Sequence, residues 1–443
     1  SENLKFSDIS IDTRKIKKTS LYIPLKGINF DGHNFIDKAF KLGIKAALVE
    51  KRKIHLVKNK KIHLVVVDDT KKALIDLAIY SRKRNKKMTM ICITGSSGKT
   101  TLKEWSKNIL KNKFKIHYNI GNFNNEIGMP ITLANMPKRT QICILELGMN
   151  KAGEIDFLSQ IAMPKISIIT NIGLAHIGNF NNEIDIAREK SDILKYLGNT
   201  GTAFIPGNSK YSEMMIKKAH SKTKNVFTFG SNESADLNFL EVEGSEKVEF
   251  SIFGKKITLK NKSYFNNWKI NVLVILGLMK IFKLSLSNLK KKIENLQPLK
   301  GRGQISKLKI KNKKVLLIDE SYNSNPKSLE SAIENLKNIS GKYSRKILVI
   351  GDMLELGKMS KKLHQKTMKF INEVCPDIII TTGKEFKKIG DNITKKSKRF
   401  HFDNHIDIYK KLLKEIHNGD VIMIKGSNST NLFKISNKLK ENF

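Results

Sequence analysis

Short, almost wholly apolar runs recur along this chain, and amphipathic stretches of helical period separate them. An apolar run bounded by turn residues predicts a buried strand, and apolar positions three and four apart predict a helix. Residues 20–27, 45–50 and 63–69 read as strands, and 35–43 and 70–84 as helices. The polar string SRKRNKK (81–87) reads as a linker. Beyond it, strands at 91–94, 115–119, 141–148, 165–171 and 201–206 alternate with helices, which predicts a mostly parallel sheet covered on both faces. The pieces 237–244 and 248–260 alternate apolar and polar residues like an antiparallel edge. Two helices, 266–282 and 286–296, then lead to Pro298 and the glycines 301 and 303. Strands at 315–321, 346–353, 377–383 and 420–427, each followed by a helix, predict a doubly wound last domain. The fold expected is α/β in three domains: a small α/β domain (1–86), a central P-loop-type domain with a mostly parallel sheet (87–298), and a Rossmann-like domain (299–443).

The most informative turn lies inside MICITGSSGKTT, residues 90–101. An apolar strand runs into a glycine-rich turn and then into a helix, the order that a phosphate cradle requires. Gly95 and Gly98 let backbone N–H groups turn toward an anion, and the helix directs its positive end there. Lys99 can reach the outer phosphates, and the Thr100 hydroxyl can ligate an accompanying Mg²⁺. Ile93 stands where the longer G-x-x-x-x-G-K-[ST] form has glycine, so this is the shorter form, opened by Thr94 and completed by Ser96, Ser97 and Thr101. ATP is the expected ligand. Glu146 ends its strand nearby and suits a hard cation. His176 and Lys190 follow the next strand, and the loop 119–130, too asparagine-rich for a hidden core, offers amide donors and acceptors near the cradle, with a plain surface loop as the alternative.

Composition changes this picture little. The 443 residues exceed one ordinary core, and no apolar run approaches the roughly 20 residues that span a bilayer. The first residues show no signal-type apolar run, so a cytoplasmic chain without membrane insertion is expected. Cys92, Cys143 and Cys375 are widely spaced and read as buried, reduced thiols. The net charge of +41 is carried mostly by lysines along the whole length. No segment interleaves arginine with aromatics, so nucleic acid is not the expected partner; a field attracting phosphate-bearing substrates is.

TGSSGKT, GNFNNEIGMP, ELG and NIGLAHIG, taken in order, resemble the central domain of the Mur ligases, the ATP-dependent amino-acid ligases of peptidoglycan synthesis. The strings 10–16, 26–39, DESYNSNPKSLESAI, GDMLELG and IKGSNST resemble the branch that takes UDP-MurNAc-tripeptide and D-alanyl-D-alanine. The resemblance implies that Lys99 holds the β- and γ-phosphates, and that Thr100 and Glu146 hold a first Mg²⁺. It implies His176 and Lys190 at a second Mg²⁺, Lys190 matching the lysine that can be carbamylated in the family. Asn271 would face adenine, and Arg302, Asn323 and Asn325 would come from a closing third domain. Asp12, Thr13, Arg14, Asp31, Gly32, His33, Asn124 and Asn125 would bind the UDP substrate, and a monomer is expected. The alternatives are another ligase of the superfamily, such as the third-residue ligase or a folylpolyglutamate synthase, and a non-catalytic nucleotide-binding protein.

Overall fold

Three sheets, one after another along the chain, carry the molecule. The computed structural model describes residues 4–59, 61–241, 246–261, 267–339, 345–389 and 396–441. The first sheet is wholly parallel, in the order β1 (Asp8–Ser10), β2 (Ser20–Tyr22), β3 (Ala46–Glu50), β4 (His63–Val67). Helix α1 (Ile36–Lys41) precedes β3, and α2 (Thr70–Lys83) follows β4. Asp69 caps α2 by accepting from Lys72 N at 2.8 Å, which satisfies one of the donors every helix start leaves open.

The central sheet has nine strands. In chain order its elements are β5 (Thr89–Thr94), α3 (Lys99–Leu110), β6 (Ile116–Tyr118), α4 (Gly128–Ala134), β7 (Ile142–Glu146), α5 (Glu154–Ala162), β8 (Ile166–Ile169), α6 (Glu183–Ser191), β9 (Thr202–Pro206), α7 (Ser212–His220) and β10 (Asn225–Gly230). Then come β11 (Leu237–Glu241), β12 (Lys247–Ile252), β13 (Lys255–Lys260), α8 (Asn267–Ile281) and α9 (Leu286–Glu294). Strand order is β13-β12-β11-β10-β9-β8-β5-β7-β6, antiparallel only from β11 to β13. From β5 the chain goes first to one side, β6 and β7, and later to the other, β8. That reversal opens a crevice beyond the carboxyl end of β5, where ligands of such sheets bind. Every residue of β7, β8 and β9 is buried, as strands covered on both faces require. Along α8, Trp268, Val272, Leu273, Val274, Ile275, Leu276, Leu278 and Met279 are all buried, so it is an interior helix. Asn266, expected to begin it, lies outside the described residues, as do the last residues expected in the strand 237–244.

The third sheet is ordered β14-β15-β19-β16-β17-β18, antiparallel only at β14. Its elements are β14 (Gln304–Ile310), β15 (Lys313–Glu320), α10 (Pro326–Asn338), β16 (Lys346–Gly351), α11 (Ser360–Val374), β17 (Ile378–Thr382), α12 (Lys384–Ile389), β18 (Lys398–His401), α13 (His405–Glu415), β19 (Val421–Lys425) and α14 (Leu432–Glu441). Two of these strands escape the sequence pattern. β14 places lysines at Lys307 and Lys309 in a half-exposed edge, and β18 holds only KRFH.

Two local expectations need correction. SRKRNKK is no loose spacer: α2 continues to Lys83, buried Ser81 donates to Ala134 O at 3.1 Å, and Arg84 donates to Met136 O. Nor is 119–130 all surface: Asn119 is buried, and every residue of α4 is buried from Gly128 onward. Cys92 and Cys143 are buried free thiols, whereas Cys375 is half-buried. Among the described residues no helix is long and apolar enough to cross a membrane.

Asn135 ties the first sheet to the central domain. It accepts from Ile9 N at 2.7 Å and donates Nδ2 to Ile9 O at 2.9 Å, engaging both backbone groups of one β1 residue. Asn135→Ala is expected to cost about 1–3 kcal/mol through the two stranded backbone groups. Urea unfolding will read that loss, and hydrogen exchange at the Ile9 amide should accelerate.

Candidate active site

Thr94 ends β5, and the chain turns through Gly95–Gly98 into α3. Gly95 has φ +146°, and a Cβ there would stand 1.9 Å from Thr170 Oγ1, so only glycine fits. The residues after β8 clamp the turn. Ser97 N donates to Asn171 Oδ1 at 3.0 Å, Ser96 N to Asn171 O at 3.1 Å, and Thr170 Oγ1 to Ser97 O at 2.6 Å. The first N–H groups of α3 therefore open on a rigid cradle, an anion site by geometry and by dipole. Thr94 is not part of the opening: its hydroxyl donates to Leu147 O at 3.0 Å within the sheet.

A carboxylate stands beside the cradle. Thr100 Oγ1 donates to Glu146 Oε2 at 2.7 Å, and Asn124 Nδ2 donates to Oε1 at 2.8 Å. Buried Asn119 fixes the Glu146 backbone, donating to its carbonyl and accepting from its amide, each at 2.9 Å. Lys103, one turn beyond Lys99 and fully buried, sits 4.0 Å behind the carboxylate and donates to Asn119 O at 2.5 Å.

Thr100, Asn124 and Glu146 line a cavity of about 300 Å³ between the central and third domains. The central domain contributes Ser96, Ser97, Gly98, Lys99, Thr100 and Thr101, together with Asn124, Asn125, Glu146, His176, Lys190 and Asn271; Arg302, Asn323 and Asn325 come from the third domain. The cavity is electropositive. Lys99 donates to Gly95 O at 2.6 Å, and burial pushes its pKa down. Lys190, 1% exposed on α6, has no protein acceptor for Nζ among the described residues. Burial, with the Lys99 charge adding to it, holds its pKa well below the usual lysine value. Opposite, buried Lys425 reaches Glu320 at 3.4 Å from the neighbouring strand, and burial lowers the lysine and raises the acid. Arg302 lies over the Tyr322 ring at 4.1 Å. Asn325 caps α10 in a capping box with Ser328 and also donates across the domains to Ser96 O at 3.3 Å.

Asp12, Thr13, Arg14, Asp31, Gly32 and His33 do not line this cavity. Asp12 caps a short turn and pairs with exposed Arg14 at 2.8 Å, whose hydrogen bond holds the acid down to about 2. His33 is buried with both ring nitrogens engaged, Nδ1 by Asp31 at 2.7 Å and Nε2 by Glu50 N at 3.2 Å. It shapes its loop.

A divalent cation suits one place here. Thr100 Oγ1 and Glu146 Oε2 are adjacent oxygen donors at the mouth of a phosphate cradle, the donor type Mg²⁺ takes. Among the described residues no three His, Cys, Asp or Glu side chains gather as a metal cage.

A clamped glycine cradle at a sheet's switch point, roofed by a second α/β domain, defines a nucleotide-binding enzyme of the P-loop class. Three family models match in order: "Mur ligase family, catalytic domain" at residues 5–82, "Mur ligase middle domain" at 93–277, and "Mur ligase, glutamate ligase domain" at 301–428. The chain belongs to the Mur ligase family. It is 32% identical to the UDP-N-acetylmuramoyl-tripeptide–D-alanyl-D-alanine ligase of Bacillus subtilis (strain 168), over 98% of this chain and 93% of that one. It resembles the crystal structure of MurF from Acinetobacter baumannii at TM-score 0.85 and 28% identity, covering 98% of this chain and 93% of the other. MurF ligase from Thermotoga maritima in complex with ADP matches at TM-score 0.84 and 27% identity, covering 100% and 99%.

Sequence reasoning passed over Lys103, Asn119, Glu320 and Lys425. Lys103 had one usable signal, its i+4 spacing from Lys99, which sets both on one helix face. The double duty of Asn325 can be separated by mutation. Asn325→Asp keeps the cap and loses the donor to Ser96, so thermal stability should hold while the nucleotide KM rises. Asn325→Ala should in addition lose about 1 kcal/mol, read by thermal denaturation.

Proposed function

We propose that this chain is the ATP-dependent ligase that joins D-alanyl-D-alanine to UDP-MurNAc-tripeptide, giving the pentapeptide precursor of peptidoglycan. The observation that carries this reading is the full-length likeness to ligases of that name, 32% identical over 98% of the chain, with the phosphate cradle intact. Residues 1–86 bind the UDP end, with Asp12, Thr13, Arg14, Asp31, Gly32 and His33 framing it. Residues 87–298 bind ATP, and 299–443 receive the amine and close over the site. One chain supplies both walls of the cavity, which supports a monomer, and we place it in the cytoplasm.

The tripeptide carboxylate attacks the γ-phosphate of ATP to give an acyl phosphate and ADP. The amine of D-alanyl-D-alanine then attacks the acyl carbon, and phosphate leaves. The first step sets anion against anion, and Lys99 meets that charge where it develops. Thr100 and Glu146 would hold a Mg²⁺, and by the family resemblance His176 and Lys190 a second ion, which would supply further neutralisation of that charge. Asn271 faces adenine. Arg302, Asn323 and Asn325 bring the third domain onto the nucleotide and exclude water that would hydrolyse the acyl phosphate. Burial lowers the pKa of Lys190, the direction that addition of CO₂ to the amine and its conversion into an anionic ligand call for.

Phosphate release from ATP with UDP-MurNAc-tripeptide should require D-alanyl-D-alanine; turnover with a single amino acid and not with the dipeptide would refute the assignment. For the carbamate, ¹³C-bicarbonate should give a protein-bound carbamate resonance that disappears in Lys190→Met. A signal that persists in the variant, or none in the wild type, removes Lys190 from that role.

A further inference from the structure

Six parallel strands of the central sheet, β10-β9-β8-β5-β7-β6, are all entered from one end, opposite the crevice beyond the carboxyl end of β5. The segments leading into them are 84–88, 111–115, 135–141, 163–165, 195–201 and 221–224, and the turn 282–285 after α8 joins the same end. These seven segments hold thirteen lysines and arginines in thirty-five residues, twice the share in the whole chain, and not one aspartate or glutamate. All thirteen are exposed, and among the described residues only Lys195 has a carboxylate partner. The helix ends that point here supply roughly half a negative charge each, enough for a few of these cations and not for thirteen. Five of them, Arg84, Lys86, Lys87, Lys138 and Arg139, line a cavity of about 620 Å³ with Phe114 and Phe282 on its apolar side.

We propose that this end of the central domain is a docking face for an anionic phospholipid surface, with lipid phosphates received among the lysines and in that cavity. Three features select a membrane surface over other polyanions. The charges form a field and not a line: they span six strands, about 25 Å at the usual strand spacing, and helix ends on both faces of the sheet. Eleven of the thirteen are lysines, compact point charges that suit a layer of headgroups, and each one held near such a layer adds to the attraction. Phe114 and Phe282 pack on each other, ring centroids 5.4 Å apart, so neither offers the open face on which a nucleic-acid base stacks. Docked in this way, the chain rests on the bilayer by the amino end of its sheet, and the crevice, a strand length away, still faces solvent.

Co-sedimentation of the full chain with vesicles tests this. The wild type should bind mixed phosphatidylglycerol–phosphatidylcholine vesicles, leave pure phosphatidylcholine alone, and come off as added salt screens the surface charge. Lys86→Glu, Lys87→Glu, Lys138→Glu and Arg139→Glu together should weaken binding about 100-fold or more. A second set on the same face, Lys111→Glu, Lys113→Glu, Lys115→Glu and Lys283→Glu, should do likewise. The same reversal of charge on the exposed side of α11, by Lys361→Glu, Lys362→Glu, Lys366→Glu and Lys369→Glu, should change binding far less. Every substituted side chain is exposed, so the fold should survive in all three variants. A wild type that ignores the anionic vesicles overturns the proposal. So does an equal loss in the α11 variant, which would make net charge the whole cause. Tighter binding of single-stranded RNA than of vesicles at equal salt, lost in the first two variants, would assign the face to nucleic acid instead.

Discussion

Buried positive charge is the constraint from which the rest of this site follows. Lys99, Lys190, Lys425 and Arg302 converge on one cavity, with Lys103 just behind its wall. An isolated ammonium in such surroundings is costly, and a folded chain has three remedies: pair it, neutralise it, or supply an anion. Lys425 is paired with Glu320, and Lys103 leans on Glu146 and a carbonyl. Lys190 has no acceptor among the described residues, and its pKa falls. Lys99 faces the cradle where phosphate belongs. Anion binding therefore relieves a strain the fold has built in, and a polyphosphate is the ligand with enough charge to do so.

The same economy explains the supporting residues. Glu146 is worth positioning because it is the carboxylate that faces Thr100 at the cradle, so a buried asparagine holds its backbone and a second asparagine holds its side chain. Asn325 serves as a helix cap and as a strut to the opposite domain. Such sharing of duties makes the cavity's two walls interdependent although they belong to separate sheets.

Much of this was legible in the chain before any coordinates. The cradle announces itself because glycine, lysine and threonine at that spacing after a strand have few other uses, and the parallel sheets follow from apolar runs too uniform to face water. What stayed hidden shares a physical cause: the signal lies in three-dimensional proximity or in burial, which the pattern does not encode. Lys103 looks like dozens of surface lysines, yet it is wholly enclosed. Asn119 reads as a loop residue because asparagine is polar, but its amide saturates the strand beside it. β14 and β18 were missed because half-exposed lysine-bearing edges imitate loops. The basic string at 81–87 looked like a spacer because its anchors are backbone carbonyls of Met136 and Pro137, far away in sequence.

The edges of the nine-stranded sheet carry a consequence of another kind. A sheet that long ends in rows of open amides and carbonyls, which invite a strand from a second copy. Here β13 turns outward with exposed Lys255, Lys256 and Lys260, and at the far side β6 is only Ile116–Tyr118, preceded by exposed Lys115. Any second copy approaching either border would bring lysine against lysine, on a chain already at +41. The charge that looks excessive in the composition thus sets lysines along both open borders of the long sheet, a disposition that opposes edge-to-edge pairing.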